Sequence, residues 1–295
     1  MMRLVTVCNS NGEELAVRLN NRVLPVRAVN ALLSTDYPAE MRMLLESGRL
    51  PDLVTDIHRL QEQVGWVEAS TALSDCRLGP LYRHPRKIWG IGLNYREHAG
   101  DLGATPPMEE PASFMKADTT IIGPGDEILL PSQSDRVTAE AEIAVVIGRR
   151  CRDIAPEEAP SVVAGFVPVL DMTAEDILQK NPRFLTRAKN FDTFFSFGPE
   201  LVTVDEVEDL AGLKVGTYLN SRLHRENVVA NMIFDSWFLV SFHSRVMTFE
   251  PGDILSTGTP GAAIIRPGDQ VECRITGFLP LVNPVGRYEP APSKV

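Results

Sequence analysis

Much that would announce a function is missing from this 295-residue chain. Its four cysteines, Cys8, Cys76, Cys151 and Cys273, are scattered, and none forms a Cys-x-x-Cys pair. A structural zinc site or a dithiol redox centre therefore has no ligands at the usual spacing. Reduced thiols, and with them a cytoplasmic location, are the default expectation. Basic residues are in deficit: 29 Lys and Arg stand against 39 Asp and Glu, a net charge of −10. With no basic cluster to offset this, the charge disfavours a general nucleic-acid binder. No apolar run approaches the roughly 20 residues of a membrane span. The most apolar candidate, 232–240, is broken by Asp235 and Ser236. The opening MMRLVTVCNSNGEEL has too short an apolar run for a secretory signal. There is no Gly-x-Ser-x-Gly elbow, no phosphate loop and, after Gly90-Ile91-Gly92, no third glycine at the dinucleotide spacing. Serine-hydrolase, nucleotide-hydrolase and nicotinamide readings fall away.

What is present suits a globular chain with a sizeable core. The length predicts about two domains. Residues 1–80 read as a small α+β unit. LVTV and LAVRL are short strands around Asn9-Ser10-Asn11-Gly12, followed by helices over 39–47, ending at Gly48, and over 53–64, capped by Asp52. Residues 78–90 resemble a linker into a second domain, 81–295. That domain is strand-rich. Pro-Gly-Asp occurs at 124–126, 251–253 and 267–269, each time before an apolar run, as a turn leading into a strand. One longer helix is expected over 231–246. The fold class predicted is α+β, mainly β.

The acids carry the chemistry. In VTAEAEIAVVIG, residues 137–148, Glu140 and Glu142 sit two apart and project from one face of a strand. Both faces are otherwise apolar, as in a strand buried on both sides. Two carboxylates side by side there repel and lose hydration. A divalent metal would neutralise them, and oxygen-only ligands suit magnesium, manganese or calcium rather than zinc. Salt bridges to arginines are the plainer alternative. A third ligand is offered by Asp171, expected at the end of a strand over 163–170, with Thr173 and Asp176 as the N-cap pair of a helix after it.

Three other stretches contain candidate groups. In NYREHAGDLG, residues 94–103, Asn94 can cap a short helix with Glu97 at its third position, and His98 and Asp101 share one face. A carboxylate beside an imidazole orients it and raises its basicity, as a general base for water requires. Gly100 and Gly103 weaken this helix, which is compatible with a lid. An isolated pair of this kind is more often a surface ion pair. LTRAKNFDTF, residues 185–194, places Arg187 and Lys189 where a cation could meet an anionic substrate or a developing oxyanion. STGTPGAA, residues 256–263, is a small-residue loop whose backbone could approach a ligand closely.

In this order the pieces resemble the fumarylacetoacetate hydrolase family. The matching stretches are KIWGIGLNYREHA, FMKADTTIIGPGDEILLP, AEAEIAVVIGRR, VLDMTAED, TRAKNFDTFFSFGP, NMIFDSW and MTFEPGDILSTGTP, together covering about residues 87–286. The resemblance implies a mixed β-roll catalytic domain and a homodimer or higher homo-oligomer. It implies Glu140, Glu142 and Asp171 as ligands of Mg2+ or Mn2+, with Ca2+ also compatible. His98 matches the catalytic histidine of the lid, Asp101 its acidic partner and Lys189 the active-site lysine. Thr259, with Gly258, matches the Gly-Thr-Pro loop that borders the substrate, and Arg96 and Lys116 complete the expected substrate-binding set. The N-terminal unit matches a variable extra domain. One departure stands out. Where many members carry an arginine and a glutamine that hold the substrate's carboxylate end, this chain has Glu175 and Leu178, with Gln179 one place later. Arg183 or Arg187 could compensate. The activity implied is metal-dependent hydrolysis of a carbon–carbon bond in a small anionic 2,4-dioxo acid. The same site could instead serve a decarboxylase, isomerase, hydratase or lyase acting on a 2-oxo acid, or a catalytically silent metal-binding oligomer.

Overall fold

Two antiparallel strands, Val137–Ile147 and Val163–Ala174, form the spine of the molecule, in register from Val137 opposite Ala174 to Val146 opposite Gly165. The computed structural model describes residues 2–10, 12–62, 65–101 and 107–289; the side chains of His98, Ala99 and Asp101 lie outside that description. Strand periodicity divides the spine between two cores. Ala139, Ala141, Ile143, Val145 and Ile147 join Phe166, Leu170 and Met172 in one cluster. Ala144 and Val146 join Val167 and Val169 in the other. The strand is thus buried on both faces, as its double apolar pattern predicts.

The spine sits in the middle of a 14-stranded sheet. On one side follow Ile254–Ser256, Ile88–Gly92 and Ala112–Lys116. On the other follow Glu200–Thr203 and then the N-terminal strands, with Leu4 of Met2–Asn9 opposite Leu201. The N-terminal hairpins therefore extend the same sheet. A five-stranded sheet runs in the order Arg222–Val228, Lys214–Leu219, Gln270–Ile275, Leu281–Arg287 and Ile128–Leu130. It packs Val215, Val271, Cys273 and Ile275 into the Ile143 cluster. The architecture is α+β and mainly β.

The three Pro-Gly-Asp turns lead into strands, as expected, and they share one hydrogen-bond plan. Gly125, Gly252 and Gly268 have φ of 78°, 84° and 90°, the left-handed value that a proline-led turn demands of its third residue. Each aspartate closes the turn with its side chain. Asp126, Asp253 and Asp269 accept from the backbone N–H of Gly123, Glu250 and Arg266 at 2.9, 2.8 and 2.7 Å. Helix boundaries differ from expectation. The helix expected from 231 is Ser236–Val246, because Asp235 caps it by accepting from the N–H of Phe238 at 2.8 Å. The helix expected from 53 starts earlier, as Leu50–Gln61, with Pro51 in its first turn and Asp52 inside it. Among the described residues, no helix is long and apolar enough to cross a membrane.

Candidate active site

Glu140 stands directly opposite Asp171 in the spine, and Glu142 lies two residues further along the same face. Ligand oxygens of the three carboxylates fall within 4.8 Å of one another. Glu142 and Asp171 are fully buried, while Glu140 is half-buried. Each acid has one oxygen committed to a neighbour. Glu140 Oε1 accepts from Thr173 Oγ1 at 3.0 Å. Glu142 Oε2 accepts from Ser256 Oγ and from the Gly258 N–H at 2.8 Å. Asp171 Oδ1 lies 2.8 Å from Lys116 Nζ, close enough for charge attraction but off the angle of a hydrogen bond. Lys189 Nζ donates to the other oxygens of two acids, Glu140 Oε2 at 2.8 Å and Asp171 Oδ2 at 2.7 Å.

Two buried ammonium groups thus face three carboxylates, and the cluster carries one formal negative charge in excess. Burial, and next the charge of Asp171, push the Glu142 carboxyl up to about 8. Burial pulls the Lys116 ammonium below its usual range although Asp171 opposes this. Burial works against the charge of Lys189 too, but Asp171, Glu140 and Glu142 outweigh it and raise its pKa. With its pKa raised that far, Glu142 retains a proton near neutral pH, and a hard divalent cation on these closely spaced oxygens would displace it. The donor set fits magnesium or manganese bound through Glu140, Glu142 and Asp171.

The surrounding elements fix the lysines. Lys189 ends the helix Leu185–Lys189, and Lys116 ends the strand Ala112–Lys116 and donates to the Lys189 carbonyl. The Phe114 ring covers Lys189 Nζ at 4.8 Å, a cation–π contact. That ring lies over Gly90, where a Cβ would come within 2.2 Å of it. Gly90 of the Gly-Ile-Gly run therefore serves ring packing. Gly258 has a φ of 97°, and a Cβ there would come within 2.8 Å of Asn94 Cβ. The backbone of the Thr259 loop can approach Glu142 only with glycine at that place.

The fumarylacetoacetate hydrolase C-terminal family profile matches residues 87–286. The chain belongs to the fumarylacetoacetate hydrolase family. Among its relatives are enzymes of several reaction types. A human mitochondrial oxaloacetate tautomerase is 36% identical over 217 residues, covering 70% of this chain and 68% of that one. The structure of a maleylpyruvate hydrolase from Sphingobium sp. SYK-6, in complex with manganese(II) and pyruvate, has a TM-score of 0.79 at 27% identity, covering 98% of this chain and 100% of that one. A 5-carboxymethyl-2-hydroxymuconate delta-isomerase from Mycobacterium smegmatis has a TM-score of 0.76 at 29% identity, covering 98% and 100%.

Within this family member, the expected site residues fall in different places. Glu140, Glu142, Asp171, Lys189 and Lys116 form one cluster, but Lys116 is committed to Asp171 and the Lys189 carbonyl. Gly258 touches Glu142 through its N–H, and Thr259 is buried with its hydroxyl donating to the Gly261 carbonyl at 3.1 Å. Arg96 is exposed at the start of the helix Arg96–Asp101. The side chains of His98 and Asp101, on the same helix, lie outside the described residues. Asn94 does not cap that helix. It is fully buried, donating to the Phe234 and Thr257 carbonyls at 2.9 and 2.7 Å and accepting from the Phe234 N–H at 2.9 Å.

Asp171 is not at a strand end, because the ladder continues to Ala174, and Thr173 serves Glu140 instead of capping a helix. Glu175 is held by Arg136 Nε at 2.6 Å and by Gln179 Nε2 at 3.0 Å. Arg187 donates to Gln133 at 3.0 Å, and Leu178 packs on the core. Sequence reasoning missed Ser256 and the role of Thr173. Ser256 opens the STGTP stretch already singled out, so its signal was position beside that loop. A cleft of about 410 Å3, lined by Thr6, Glu13, Met41, Tyr82 and Arg83 among others, shares no residue with the acid cluster. None of the acid clusters found among the described residues lies there, so the chemistry is argued from the carboxylates.

Proposed function

We propose that the protein is a metal-dependent hydrolase that cleaves a carbon–carbon bond in a small 2,4-dioxo acid, an acylpyruvate or a fumarylacetoacetate-like compound. The observation that carries this reading is the Glu140–Glu142–Asp171 cluster with Lys189 bridging two of its acids. A divalent cation held by the three acids would supply Lewis-acid polarisation of the substrate. Thr173, Ser256 and the Gly258 N–H keep the acids oriented. His98, with Asp101 on the same helix, takes a proton from the water that attacks the distal carbonyl. Lys189 meets the developing oxyanion with its ammonium. Collapse breaks the carbon–carbon bond, its electron pair passes into the enolate of a pyruvate-like product, and the proton held by His98 returns to that carbon. The manganese and pyruvate in the similar maleylpyruvate hydrolase support the choice of ligand class.

Release of pyruvate from a panel of acylpyruvates, with magnesium or manganese added, tests the reading. No release from any member of the panel, at saturating metal, overturns it. A second reading is keto–enol conversion of a 2-oxo acid such as oxaloacetate. It is favoured by Glu175, which stands where related hydrolases carry a substrate-holding arginine and which here is paired with Arg136. Loss of the oxaloacetate enol absorbance, with no carbon–carbon cleavage of acylpyruvates, would establish that alternative.

A further inference from the structure

Among the described residues, two features fasten the helix Arg96–Asp101 to the body of the protein. Its root is rigid. Leu93 takes a left-handed φ of 58°, Asn94 is bonded on both ends of its amide, and Tyr95 bridges to Met232. The second fastening is one side-chain contact. Asn227 Nδ2 donates to Glu97 Oε2 at 3.3 Å. Asn227 belongs to Arg222–Val228, which lies at the edge of the five-stranded sheet.

The amide of Asn227 has one sensible orientation. Its oxygen accepts from the Val228 N–H at 2.8 Å and from Asn231 Nδ2 at 2.6 Å. A flipped amide would turn its donors against these donors and its oxygen against the Glu97 carboxylate. Its NH2 group is therefore aimed at Glu97 by its neighbours. Glu97 is adjacent in sequence to His98 and one helical turn from Asp101, so its place sets the place of that turn. The contact is long and Glu97 is exposed. Such a bond adds little to global stability but is readily broken and remade.

We propose that Asn227 is a positioning residue, which acts through Glu97 to set where the helix Arg96–Asp101, and with it His98, is held. This rests on the reading that the helix bears the water-activating base. The test is a charge cycle. Asn227→Asp keeps the oxygen used by Val228 and Asn231 but places a carboxylate against Glu97. Amide hydrogen exchange over residues 96–101, with manganese and oxalate bound, should then accelerate severalfold. The kcat for acylpyruvate cleavage should fall about tenfold or more, the cost of a small misplacement of a catalytic group, with KM and the thermal midpoint nearly unchanged. Adding Glu97→Gln supplies an amide donor to the new carboxylate and should restore both readouts. Wild-type exchange and kcat in Asn227→Asp, or no recovery in the double variant, overturn the proposal. If the wild type cleaves no acylpyruvate, the hydrolase reading fails, while the exchange data still decide the role of Asn227.

Discussion

Glu140 and Asp171 face each other across the central ladder, and Lys189 Nζ lies between them, 2.8 Å from one and 2.7 Å from the other. Like charges at directly opposed positions of an antiparallel pair repel. The lysine removes that repulsion inside the folded chain, and Lys116 adds a second ammonium on the far oxygen of Asp171. The pair of lysines balances Glu140 and Asp171 at the centre of a sheet, and leaves Glu142, whose carboxyl is pushed up to about 8, as the acid without an ammonium partner of its own.

Removing Asp171 should therefore damage the fold as well as the chemistry. Asp171→Ala leaves Lys116 and Lys189, both buried, without their shared counter-ion. Breaking a buried pair from one side costs about 3–5 kcal/mol. Urea unfolding in the presence of a chelator should show a loss of that order, and calorimetry should show manganese binding abolished. A variant of wild-type stability would mean that the two lysines find other partners.

Gly90→Ala probes the support of Lys189 from a distance. A methyl at that place collides with the Phe114 ring that covers Lys189 Nζ. The ring must move, at a cost of about 1–3 kcal/mol for an overpacked site. Activity should drop in parallel because the lysine loses its cover. Phe114→Leu, which removes the ring without the collision, should lower activity with a smaller loss of stability. If Gly90→Ala retains full stability, the ring is not seated as described.

How much was legible in advance follows from the range of each interaction. The shared face of Glu140 and Glu142 was readable because strand side chains alternate, whatever the strand packs against. The turns at Pro-Gly-Asp were readable because proline, glycine and a carboxylate within four residues determine them locally. The site's supports were not readable. Asn94 has the residue type and spacing of a helix cap, yet Phe234 and Thr257, 140 and 163 residues away, take its side chain. The same long-range contact helps to explain why the helix expected from 231 starts at Ser236. Lys116 reads as a cation for substrate, and only the fold brings it to Asp171.

His243 should give the fold a pH dependence. It lies fully buried on the helix Ser236–Val246, against the Trp89 ring at 4.8 Å. Nδ1 lies 2.8 Å from the Leu239 carbonyl, so that nitrogen carries the proton and donates, while Nε2 meets no donor among the described residues. Burial lowers its pKa below the ordinary value. The unfolded chain, with a histidine pKa of about 6.5, then binds a proton that the folded chain refuses. Stability is complete above that pH and declines as pH falls through the folded value. The urea midpoint of the wild type should fall between pH 7 and pH 5 more steeply than that of His243→Phe. Parallel profiles would assign the acid sensitivity to other groups.

The last prediction separates hydrolysis from simpler 2-oxo acid chemistry in one site. Hydrolysis needs a positioned base to activate water, whereas decarboxylation of oxaloacetate needs the keto acid held at the acid cluster and an outlet for its electron pair. His98→Ala should therefore cost acylpyruvate cleavage on the order of 10²- to 10⁴-fold, the usual worth of a general base, and cost oxaloacetate decarboxylation far less. Asp171→Ala should abolish both, since both depend on the cluster. Manganese affinity measured by calorimetry serves as the control and should be unchanged in His98→Ala, because that residue is not among the three acids. Equal losses of the two activities at full manganese loading would show that His98 does not act as the hydrolytic base. The weight would then pass to the tautomerase or decarboxylase reading, in which a carboxylate at position 175, paired with Arg136, is no obstacle.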